Sequence, residues 1–99
     1  MTTQARAEYD ALRNGKVDRS HYSAEMGSAI SDTRIASVSK QLQALGTVQR
    51  FSYERTLPVQ GHTIYVYRVT CQKPPELFEF IAWDGAGKIE ALVLREAPT

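Results

Sequence analysis

From Val48 onward the apolar residues recur at a period of two, and three of the four strands so marked out are apolar on both sides. Alternate side chains of a strand point to opposite faces. In "GHTIYVYRVTC", Gly61 to Cys71, one side carries Tyr65, Tyr67, Val69 and Cys71 while the other carries Ile64 and Val66. The next strand sets Leu77, Ile81 and Trp83 against Phe78, Phe80 and Ala82, with Glu79 the one charge among them. The last sets Leu92 and Leu94 against Ile89, Ala91 and Val93. Only the first alternates cleanly, with Phe51, Tyr53 and Leu57 opposite Arg50, Ser52, Glu54 and Thr56. An antiparallel sheet with one wet face alternates apolar with polar, so both faces of this one call for cover.

Ahead of the strands the period is helical. Ala5, Tyr9 and Leu12 predict a helix over about 3–14, with Thr2 or Thr3 as its cap and Asn14-Gly15 as its stop. Asp18 caps a second helix over about 19–29 that carries Tyr22, Met26 and Ile30 on one side and is weakened by Gly27. The third helix, about 32–45, has Ser31 and Asp32 as caps and a stripe of Ile35, Val38, Leu42 and Leu45; Gly46 ends it. The strands follow at about 48–57, 62–72, 76–83 and 88–95. They are separated by Pro58-Val59-Gln60-Gly61, by Lys73-Pro74-Pro75 and by the hairpin turn Asp84-Gly85-Ala86-Gly87.

Short turns between consecutive strands favour antiparallel neighbours. The expected fold is a single α+β domain of N-terminal helices packed on a curved four-stranded antiparallel meander. The helices cover one face. For the other, the simplest cover is a second copy about a two-fold axis, or docking on a larger protein. The residues expected at that contact are Ile64, Val66, Leu77, Ile81 and Trp83, with Phe78 and Phe80 replacing the last three if the third strand has the opposite parity. Against this stands shielding of scattered apolar residues by Arg68, Glu79 and Glu90.

Composition excludes several classes. The formal charge of the 99 residues is +1 and the basic residues are dispersed, where a nucleic-acid binder shows a basic stripe. No apolar run reaches the roughly eighteen residues of a membrane span. The opening "MTTQARAEYD" lacks the apolar core of a signal peptide; a soluble chain is expected, and the compartment stays open because a signal sequence could have been removed. Cys71 is the single cysteine and reads as a small buried hydrophobe.

The segments "LRNGKVDRSHY", "LQALG", "YVYRV" and "DGAGKIEALVLRE" resemble small bacterial domains of the cystatin-like/NTF2-like superfamily, found alone or attached to serine hydrolases of the β-lactamase type. The resemblance implies a curved antiparallel sheet wrapped around helices. It implies no single activity, because the superfamily includes isomerase-like enzymes, polyketide cyclases and non-catalytic members. No Ser-x-x-Lys motif is present to carry over the chemistry of the attached hydrolases.

Candidate chemistry is sparse. "DGAGKI" lacks the spacing and the hydroxyl residue of a phosphate loop and reads as a strand-to-strand turn. Asp18 and His21 near a helix start form a conceivable acid–base pair, with cap and solvated side chain as the plainer roles. Two isolated histidines make no metal site, and neither metal nor cofactor is expected. Tyr9, Tyr22, Tyr53, Tyr65 and Tyr67 have the chemistry to line a pocket for a small apolar ligand between helices and sheet, or to serve as core. The leading expectation is a non-enzymatic ligand-binding or interaction module that self-associates through its sheet. The alternative is a small isomerase- or cyclase-like enzyme using the aromatic pocket.

Overall fold

A computed structural model describes residues 2–97. Three α-helices precede a four-stranded antiparallel sheet in the order β1-β2-β3-β4, an open α+β arrangement. The helices are α1 (Thr2–Asn14), α2 (Ala24–Ala29) and α3 (Asp32–Ala44). The strands are β1 (Val48–Val59), β2 (His62–Cys71), β3 (Leu77–Trp83) and β4 (Ile89–Glu96).

Local chemistry explains most of the boundaries. Gly15 adopts φ +70 past the end of α1, and Lys16 N–H reaches back to the Ala11 carbonyl at 2.9 Å, closing the helix through a left-handed residue. Thr2 opens α1; the residue before it lies outside the described chain. Ser31 caps α3 by accepting from Arg34 N–H at 3.1 Å.

The expected second helix is instead two pieces. Asp18 accepts from Ser20 N–H at 2.9 Å and caps a single 3-10 turn, Arg19–His21. The chain then straightens at Tyr22, which bridges Ile89 in parallel, and Ser23 caps α2 by accepting from Met26 N–H at 3.2 Å. A second serine cap inside the stretch starts a new helix where the helical spacing suggested continuity.

β1 also runs further than expected, through Pro58 to Val59, because it is an edge strand whose missing N–H has no ladder bond to lose. The turn reduces to Gln60-Gly61, both at positive φ (49 and 81), as a tight two-residue hairpin requires.

The faces follow from the register. Tyr65, Tyr67, Val69 and Cys71 of β2 and Leu77, Glu79, Ile81 and Trp83 of β3 face the helices. Phe78, Phe80 and Ala82 share the outer face with Ile64 and Val66. Two bulges change the expected parity elsewhere. Glu54 is an extra residue in β1, so Phe51 and Tyr53 face the helices whereas Leu57 pairs with Ile64 on the outer side. Glu90 is the extra residue in β4 and brings Ile89 onto the same side as Leu92 and Leu94.

The core lies between helices and sheet in two adjoining clusters. One gathers Tyr9, Leu12, Leu42, Val69, Cys71 and Leu77, the other Ala5, Tyr22, Tyr67, Ile81 and Ile89. A small third cluster on the outer face joins Val66, Phe78 and Ala97, with Leu57 and Phe80 beside it.

Candidate functional site

Helix α3 packs along α1 and reaches the sheet through Leu42, which clusters with Val69, Cys71 and Leu77. Its apolar stripe is only partly used. Leu42 reaches the core and Ile35 is buried, but Val38 and Leu45 are half-buried. Between this stripe and the far edge of the sheet runs a cleft of about 500 Å³. Its walls are chiefly Met26, Ile30 and Val38 above and Leu77, Leu92 and Leu94 below, with Arg34, Gln41, Arg95 and Glu96 among the polar residues along it. A mostly apolar concavity of this size with a few polar groups is the form small-molecule and peptide sites take.

A second constellation lies inside the core. Glu79 is fully buried on the helix side of β3, and neither carboxylate oxygen has a hydrogen-bond partner among the described residues. The expectation that Glu79 shields the outer face is thus corrected: it shares the parity of Leu77 and Ile81, and their side is the core side. Burial, then the nearby charges of Glu8 and Asp10, push its carboxyl well above the usual carboxylate range. Glu8, also buried, is joined through Oε2 to His21 Nδ1 at 3.0 Å, and His21 Nε2 lies 3.6 Å from Asp18 Oδ2. Tyr22 is buried near both glutamates with no well-formed hydrogen bond to its hydroxyl. Burial above all raises its phenol, as it does that of Tyr9, whose hydroxyl lies 3.5 Å from Cys71 Sγ.

The sequence-derived candidates are distributed differently from their expected grouping. Tyr9, Tyr22 and Tyr67 are core. Tyr53 is half in solvent, edge-on to Tyr67 at 5.9 Å, and Tyr65 packs on Trp83 at 5.6 Å. None of the five lines the cleft. Asp18 and His21 come together, but at the surface and away from the cleft. Of the five proposed interface residues, Ile64 and Val66 face outward, whereas Leu77, Ile81 and Trp83 face the helices. β3 therefore offers Phe78 and Phe80 to the outer side.

Sequence reasoning missed Glu8 and Glu79 as core groups, and Leu92, Leu94 and Val38 as cleft walls. A charge at the parity of Leu77 and Ile81 was the visible signal for Glu79. Among the described residues no three His, Cys, Asp or Glu side chains gather as a metal-ligand set, and no helix is long and apolar enough to cross a membrane. No protein-family model, curated protein or solved structure matches the chain.

Proposed function

We propose that this chain is a non-catalytic binding module that seats an apolar group in the cleft between α2–α3 and β3–β4. The observation that carries the reading is the apolar cleft beside the half-buried Val38 and Leu45 of α3, with Leu92 and Leu94 among its other walls. Apolar area buried there by a ligand contributes about 25 cal/mol per Å², and the site exists before the ligand arrives. The cystatin-like/NTF2-like assignment belongs to the same proposal. Its support is the order of helices followed by a meander, with a concavity between the two layers.

Titration with an anilinonaphthalene sulfonate dye tests it. The expected result is saturable binding at one site per chain, at least about tenfold weaker in Val38→Arg, with circular dichroism and the unfolding midpoint unchanged. Equal binding by the variant, or none by the wild type, overturns it.

A second reading, self-association through the outer sheet face, is favoured by Val59 and Val93, each 43% exposed on that side beside half-buried Leu57, Ile64 and Phe80.

A further inference from the structure

The two edges of the sheet are built differently. β1 carries Arg50, Glu54, Arg55 and Pro58, and two bulges interrupt its register. Charges, proline and bulges are the devices that keep an edge strand from pairing with another chain. β4 has none of them along Ala91-Leu92-Val93-Leu94; its bulge at Glu90 and its charges Arg95 and Glu96 stand outside that run. The outward edge of Ala91–Glu96 has no strand partner among the described residues.

The start of the same edge is already in use. Tyr22 bridges Ile89 on the side away from β3, and Ser23 N–H donates to the Ile89 carbonyl at 2.9 Å. The chain then leaves the lane as α2 begins at Ala24. Beyond Ala24, α2 packs against β4, no strand among the described residues pairs with the rest of the edge, and the cleft opens along Leu92–Glu96. Its roof is the apolar wall of Met26, Ile30 and Val38.

We infer that the ligand of the cleft is an extended segment of a partner protein, added to the sheet as a fifth strand along Ala91–Arg95. This rests on the proposed cleft-binding function and names its occupant. Main-chain hydrogen bonds to the β4 edge supply affinity, and alternate side chains supply selectivity. Those on one side stand next to Leu92 and Leu94 under Val38, so they are apolar; those on the other side stand next to Val93 at the outer surface. A strand of about five or six residues matches the open length of the edge. The open edge is only six residues long, Ala91–Glu96, against the roughly 20–30 residues a side of a stable protein interface, so it suits a lone strand rather than a second copy.

The test uses a short blocked peptide alternating valine with threonine, a lysine at each end, and two analogues N-methylated at alternate residues, one on each edge. Binding is read from backbone amide shifts and slowed amide exchange in 15N-labelled protein. The expected result is perturbation of Ala91–Glu96, slowed exchange there, and at least a tenfold loss of affinity for one analogue only. Dye binding without peptide binding, or an equal loss of affinity in both analogues or a loss in neither, overturns the strand while leaving the cleft reading intact. Failure of dye and peptide alike overturns the cleft reading too. A concentration-dependent dimer that slows exchange along β4 without peptide overturns the choice of occupant.

Discussion

Glu79 shows how one misplaced charge shapes stability. A carboxyl buried beneath α1 without a partner is held neutral, because ionising it there costs more than releasing a proton in water. In the unfolded chain it titrates near the ordinary value of 4.5. Between that value and its raised folded value the native state holds a proton the unfolded state has lost, so stability falls as pH rises through the window. The slope is up to about 1.4 kcal/mol per pH unit. Glu54 and Glu76, drawn below 4.5 chiefly by hydrogen bonds from Arg68 and Thr70 respectively, act in the opposite sense: their contribution is lost as pH falls below that value. The windows lie on opposite sides of 4.5. Urea unfolding followed by Trp83 fluorescence is expected to give a lower midpoint at pH 8 than at pH 5. Glu79→Gln removes much of that difference and is the more stable protein at pH 8; an unchanged difference would show that Glu79 is not the group responsible.

Helix ends and turns are set by residues within a few positions of the event, and most of them were legible, the Ser23 cap and the two-residue turn Gln60-Gly61 excepted. Asn14-Gly15, Ser31 and Gly46 stop or start helices where their own chemistry says they should. The bulges at Glu54 and Glu90 were not legible, because each inserts a polar residue that continues an acceptable alternation while reversing everything after it. The cleft was hidden for a different reason. The spacing of Ile35, Val38, Leu42 and Leu45 specifies an apolar side but not how far that side descends onto the sheet. Two glycines now separate backbone strain from steric fit. Gly46 (φ +83) and Gly61 (φ +81) both sit in the left-handed region, where a side chain costs about 1–2 kcal/mol. A Cβ at Gly61 meets nothing within 4 Å, whereas one at Gly46 falls against the Gln72 side chain, whose Oε1 accepts from Thr47 N–H at 3.1 Å. Gly46→Ala is expected to lower the urea midpoint clearly more than Gly61→Ala. Equal losses would mean that only the backbone term matters.

A sheet apolar on both sides needs two covers, and the molecule supplies one and a half. The helices hide the inner face. On the outer face Val66 and Phe78 are buried by the chain itself: Arg68 lies over the Phe78 ring at 4.7 Å, Arg55 at 5.8 Å, and Ala97 closes the same cluster. Arg68 is held there by Glu54 at 3.2 Å and Glu76 at 2.9 Å. Val66→Glu would therefore put an unpaired charge into a sealed cluster and unfold the protein, and it cannot report on association. Val93 and Val59 can, since both stand outward at 43% exposure. A stable interface takes about 800 Å² from each partner, roughly an eighth of this chain's 6165 Å². With its two best apolar groups already covered, the face has only a weak drive to pair. Light scattering is accordingly expected to show a mass near 11.1 kDa in dilute solution that climbs with concentration. Val93→Glu and Val59→Glu should each hold the mass at one chain at every concentration, because a buried unpaired carboxylate costs more than a valine contributes. If the wild type stays at one chain throughout, the arginine-and-tail cover is sufficient and the outer face is finished surface; if the variants climb as steeply as the wild type, association uses some other part of the molecule.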